Sequence, residues 1–197
     1  MTKFSKIALC AMVGASALFT SCDDSDNDKP PVEESIYQRL GGTTMVQDPD
    51  AAAGTMIEKG RLSYRKVVNS TVGLIVADVQ SGADGNLSAH FAPLLGEVTA
   101  GNTTNLAVLV DNLTDFFSFN TGGTNAVNTY NGLDMVTAHN PALNPRMNVE
   151  ATDANYTTFE GYVGAAAVAN GVPADSELYA DVVDVLESLR NPIVKAP

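Results

Sequence analysis
Across residues 103–119, Leu106, Leu109, Val110, Leu113, Phe116 and Phe117 recur at steps of three and four. Only a helix gathers such steps onto one face, so this stretch predicts an amphipathic helix with a wide apolar stripe. Thr103 or Thr104 can cap its start, and Gly122-Gly123 ends it. Tyr156, Phe159, Tyr162 and Val163 share one face of a second helix capped by Thr152 or Asp153. After the break at Gly171-Val172-Pro173, a last helix turns Leu178, Val182, Val185, Leu186 and Leu189 inward and stops before Asn191-Pro192. Residues 63–79 carry Val67, Val68, Val72, Ile75, Val76 and Val79, a helical period whose β-branched residues also permit a strand. Residues 43–60 and 140–150 read as irregular. Alternating patterns are scarce and internal repeats absent, so the expected class is all-α.

The first residues read as an export signal. Lys3 and Lys6 precede an apolar run at residues 7–19, too short for a comfortable membrane span. Phe19-Thr20-Ser21-Cys22 is similar to the lipobox of bacterial lipoproteins. That resemblance implies cleavage before Cys22, a lipid anchor on Cys22, and a place at the cell envelope. The expected division is a signal at residues 1–21, an acidic proline-stiffened tether at 22–35, and one domain at 36–197.

Composition narrows the chemistry. Charged residues make up 17% and hydrophobic ones 45%, enough to build a core. The net charge of -12 repels phosphate and argues against a nucleic-acid partner. Cys10 lies in the signal and Cys22 at the anchor, so thiol catalysis and cysteine-held metals are excluded from the domain. The two histidines, His90 and His139, stand in no nucleophile motif. Met135 and His139, four residues apart, share one face of a short helix that Asn140-Pro141 cannot continue. A histidine so placed is either structural or turned toward a buried metal.

The wider pattern favours the metal. Ile36-Tyr37-Gln38-Arg39-Leu40-Gly41-Gly42 resembles the opening of the first group of truncated haemoglobins. Leu87-Ser88-Ala89-His90-Phe91 resembles the stretch with that family's haem-packing Phe. Phe116-Phe117 before Gly122-Gly123 looks like its distal helix and glycine break. The run from Tyr130-Asn131-Gly132 to Ala138-His139 is similar to its proximal segment. Thr152-Asp153-Ala154-Asn155-Tyr156, Gly171-Val172-Pro173 and Leu189-Arg190-Asn191-Pro192-Ile193-Val194 follow in the family's order. The resemblance implies a globin-like, truncated 2-over-2 helical sandwich with insertions. It implies non-covalent haem b, with iron on His139 and walls from Phe91, Leu109, Leu113, Phe116, Met135, Tyr156 and Val163. His90 is expected to be structural or exposed, a sixth iron ligand being its other role.

One departure matters. Many relatives hold oxygen with a Tyr on the second helix and a Gln on the distal helix, where this chain has Val72, Leu109 and Leu113. The expected function is therefore binding of a diatomic gas (oxygen, nitric oxide or carbon monoxide) at five-coordinate iron, with efficient nitric-oxide dioxygenation disfavoured. An unidentified electron donor would keep the iron reduced. Haem capture or storage, and a haem-free interaction module, are the competing readings.

Overall fold
The computed structural model describes residues 33–125 and 127–196. The expected signal, Cys22 and most of the expected tether lie outside the described residues. Residues from Glu34 onward form one compact unit.

The chain is mostly helical, with seven helices and two small sheets among the described residues. Helix α1 (Ile36–Arg39) starts at Ser35, whose hydroxyl accepts from the Gln38 N–H. Strands β1 (Met45–Gln47) and β2 (Met56–Glu58) pair antiparallel, with Val46 opposite Ile57. This hairpin replaces the irregular stretch expected at 43–60. Its strands have three residues each, too few for an alternating pattern to emerge. Gly54 at φ +89° turns the connection, and Arg65 holds the turn by a bidentate pair with Asp48 at 3.0 and 2.5 Å.

Helix α2 (Lys59–Ser81) decides the open case at 63–79 in favour of helix. Tyr64, Val68, Thr71 and Ile75 are buried at steps of four, three and four, so burial of one face outweighs the modest helical cost of β-branching. Helix α3 (Ser88–Thr99) adds an element to those expected, and it carries Pro93 inside it. Proline has no N–H for the Ala89 carbonyl four residues back. Asn148 Nδ2 donates to that carbonyl at 3.3 Å instead.

Helix α4 (Thr104–Asn120) covers the expected stretch. The Asn102 side chain, rather than a threonine hydroxyl, accepts from the Thr104 N–H at 3.1 Å. Helix α5 (Met135–Ala138) is capped by Asp134, which accepts from the Thr137 N–H and hydroxyl. Helix α6 (Asp153–Ala169) opens with a reciprocal capping box between Thr152 and Asn155.

Helix α7 (Glu177–Ile193) runs past the expected stop and includes Pro192. Ile193 is thereby buried against Ala151 and Tyr156, with Met135, Leu189 and Val194 packed around them. Strand β4 (Val194–Ala196) then pairs parallel with β3 (Ala151–Thr152). Arg190 also clamps the helix end to Asp153 and Glu160 of α6, and pairs with Glu187 one turn back in its own helix. These gains outweigh the strain that proline imposes on a last turn.

Helix α2 packs on α4 and α6, and α6 on α7. Among the described residues no helix is long and apolar enough to cross a membrane.

A buried polar knot fastens α1 to the far end of α4. Tyr37 and Asn128 are fully buried, and Glu58 nearly so. The Tyr37 hydroxyl donates to Glu58 Oε2 at 2.5 Å. Asn128 Nδ2 lies within hydrogen-bond distance of the same oxygen (2.8 Å), the Tyr37 hydroxyl (2.9 Å) and the Gly123 carbonyl (2.9 Å). The Tyr37 ring sits between two glycines. A Cβ at Gly60 would approach it to 2.8 Å, and one at Gly123 to 2.7 Å.

Candidate functional site
A cavity of about 430 Å³ opens beside α3, α4, α5, α6 and the end of α7. Its size falls within the range of pockets that enclose a drug-sized ligand. Phe91 reaches it from α3, Leu109, Leu113 and Phe116 from α4, Met135 from α5, and Tyr156 from α6. Phe116 stands edge-on to Tyr130 at 5.2 Å between ring centroids. The Tyr156 hydroxyl donates to the Leu186 carbonyl at 2.6 Å, which leaves the ring as its apolar contribution. Six expected wall residues thus meet on one cavity. Val163, expected with them, lies on the wall of a second cavity instead.

His139 lines the same large cavity from the C-cap of α5. Its Nδ1 lies 2.9 Å from the Met135 carbonyl. A carbonyl can only accept, so Nδ1 carries the hydrogen and Nε2 keeps its lone pair. Among the described residues Nε2 has no hydrogen-bond partner. Burial pushes the ring below the ordinary imidazole range; the Met135 bond opposes this, and nearby His90 adds to it. A neutral ring with a fixed tautomer and a bare Nε2 is the form that ligates metal. Asn144 Nδ2 donates to the Ala138 carbonyl at 2.7 Å, which ties the next segment to the end of α5.

His90 is half-buried on α3 and lines this cavity too. The sequence leaves it structural or exposed first, with a sixth iron ligand as its other role. Its position beside Phe91 was visible, but the direction of its side chain depends on a helix that Pro93 concealed.

The second, smaller cavity, of about 60 Å³, lies among α2, α4 and α6. Val72, Leu109, Leu113 and Val163 are on its wall, and Phe91, Leu109, Leu113 and Phe159 border both cavities. Three side chains on its wall carry hydroxyls, and each hydroxyl is engaged elsewhere. Ser63 donates to the Leu40 carbonyl at 3.1 Å, Thr71 to the Val67 carbonyl at 2.9 Å, and Tyr64 to Thr121 Oγ1 at 2.7 Å. Of the three residues expected on the distal side, Leu109 and Leu113 border both cavities, while Val72 lines only this smaller, hydrocarbon one.

Among the described residues no group of three or more His, Cys, Asp or Glu side chains is placed to hold a metal ion. A metal at His139 would have to bring most of its own ligands, as an iron porphyrin does. The donor set fits that group: the His139 imidazole with His90 as a second, apolar and aromatic walls, and Arg146 as the one cationic side chain among the described lining residues. Compared with protein-family models, curated proteins and solved structures, the chain matches none.

Proposed function
We propose that this chain is a globin-like haem protein of the bacterial cell envelope that binds a diatomic gas. The observation that carries the reading is His139. Its Nδ1 is fixed by the Met135 carbonyl, and its bare Nε2 belongs to a ring that lines an apolar cavity of about 430 Å³. The seven motifs resembling truncated haemoglobins support it, and six of the expected wall residues share that cavity. Haem b supplies a redox-active iron with a gas-binding position. The protein's part is to ligate the iron, exclude water with hydrocarbon, and fix the ring's tautomer. The test is titration of the purified domain with haemin. One equivalent should give a saturable shift of the strong visible band, and the reduced form should take up carbon monoxide. A protein that perturbs the haemin spectrum no more than albumin does, with no stoichiometric end point, defeats the reading.

A second reading, haem capture or storage, is favoured by His90 lining the same cavity as His139. Two imidazoles can hold iron in a state that resists gas. A reduced protein that ignores carbon monoxide but passes haem to a second apoprotein would select storage.

The hydrocarbon distal side gives a kinetic expectation. Oxygen polarises on binding to ferrous iron, and its outer atom gains from a hydrogen-bond donor. Val72, Leu109 and Leu113 offer none. Oxygen should leave quickly, and the ratio of carbon monoxide to oxygen affinity should be high. Val72→Tyr should slow oxygen release by about tenfold for each ~1.4 kcal/mol of hydrogen bonding regained. Flash photolysis and stopped-flow mixing check this. Slow release from the parent itself would mean that a donor such as Tyr64 breaks from Thr121 to reach the gas.

The envelope location rests on Cys22. A full-length Cys22→Ser chain should lose lipid labelling and no longer fractionate with membranes. Unchanged partitioning, with no lipid mass on the parent's N-terminal fragment, removes the anchor from the proposal.

A further inference from the structure
Haem is apolar over its face but carries two carboxylates at one edge, and a site for it has to deal with both. Among the described residues lining the large cavity there is no Asp or Glu, and Arg146 is the one Lys or Arg. Arg146 belongs to the segment joining α5 to β3, and its side chain is 46% exposed, so it stands at the solvent edge. That guanidinium already has a carboxylate. Its Nη1 and Nη2 donate to Glu97 Oε1 and Oε2, both at 2.9 Å, in a bidentate fork. Asn105, another residue of the cavity wall, also turns its Nδ2 to Glu97 Oε2 at 2.9 Å. Two donors on this edge are thus spent on one side chain of α3 that does not itself line the cavity.

We infer that Arg146 is the anchor for a haem carboxylate and that Glu97 is a built-in competitor for it, so the ligand enters by exchanging one carboxylate for another on the same guanidinium. This rests on the proposed haem function. The fork that Glu97 makes is the one a propionate would make, and both carboxylates are anionic. They cannot share the end of the guanidinium without repelling each other. Part of the binding energy at this edge is then used to release Glu97. The walls hold the ligand's apolar face, and the polar edge is gripped less strongly than a free guanidinium would grip it. The segment of Arg146 has a second tie to α3, from Asn148 Nδ2 to the Ala89 carbonyl. Release of Glu97 leaves that second tie in place.

The test compares iron protoporphyrin with its dimethyl ester, which has the same face and no carboxylates, on the parent, Glu97→Gln and Arg146→Gln. Both variants lose the same ion pair, so the apoproteins should be destabilised alike. Their affinities should nevertheless move in opposite directions. Glu97→Gln should bind the diacid about tenfold more tightly, and Arg146→Gln about tenfold more weakly. Neither should change the affinity for the ester by more than about twofold. Weaker diacid binding by Glu97→Gln overturns the proposal, because Glu97 then orients Arg146 rather than competing for it. Equal changes for diacid and ester overturn it as well. A parent that takes up neither form defeats the haem reading itself, and this inference with it.

Discussion

Replacing His139 by Ala should weaken haem binding by about a hundredfold or more while leaving a folded apoprotein. Affinity falls so far because His90 is the one other imidazole among the described lining residues, and it comes from a different helix. The fold survives because the ring is half-buried and its hydrogen bond is local, to the Met135 carbonyl one turn back. Asp134 still caps α5 after the change, and the Asn144 bond to the Ala138 carbonyl remains. The expected stability cost is under about 2 kcal/mol. His139→Gly with added imidazole gives a sharper check, since free imidazole should enter the space left by the ring and restore the parent's visible spectrum. A His139→Ala protein with the parent's spectrum and affinity would place the iron elsewhere, with His90 as the first alternative.

The second large effect concerns stability. Glu58→Ala should cost about 3 kcal/mol, read as a lower urea midpoint, and lower the melting temperature by roughly 6–12 °C. The carboxylate accepts from Tyr37, Asn125 and Asn128. Tyr37 and Asn128 are fully buried, so their donors lose a partner that water cannot replace. Glu58→Gln should cost less, since it keeps the shape and one acceptor oxygen.

The same knot makes stability depend on pH at both ends. Bonds from Tyr37, Asn125 and Asn128 hold the Glu58 carboxyl below the ordinary glutamate range despite its burial. Its contribution is present above the unfolded chain's value and is lost as pH falls through the depressed folded one. Burial, then the bond to Glu58, pushes the Tyr37 phenol up to about 12. That contribution is present below the ordinary phenol value near 10 and disappears as pH rises toward 12. Urea midpoints against pH for the parent and Glu58→Gln should converge on the acid side. Parallel curves would mean that other carboxylates carry the acid loss.

What the sequence revealed depended on range. Helices α4, α6 and α7 declared themselves through apolar spacing, because each buries one stripe and a stripe is a local pattern. The place of His139 on a short helix is legible the same way, from its four-residue offset from Met135 and the break at Pro141, while its reading as an iron ligand rests on the resemblance to truncated haemoglobins. Helix α3 and the end of α7 were hidden by a proline whose cost is offset from afar, by Asn148 in one case and by burial of Ile193 in the other. The polar knot was hidden more deeply. Tyr37 was noticed as part of a motif, but its partners lie 21 and 91 residues away. No periodicity links a tyrosine, a glutamate and an asparagine that meet only in the folded chain. Val163 was misplaced for a related reason. It is on the apolar face of α6 as expected, but the spacing could not say which of two adjoining cavities that face would meet.

Pro93 has a consequence for the order in which the molecule assembles. The first turn of α3 is one backbone bond short, and the Ala89 carbonyl is satisfied by a side chain 59 residues further along. Helices α4 and α6 can form from their own residues and caps, but α3 is completed only when the segment carrying Asn148 arrives. It should therefore belong to the late phase of folding. Substitutions in it should speed unfolding more than they slow folding. In the native state, the amides of α3 should exchange with solvent through a smaller opening than those of α4. The wall that carries Phe91 and His90 is then the last to close and the first to part, so a ligand can meet the pocket before the chain has finished building it.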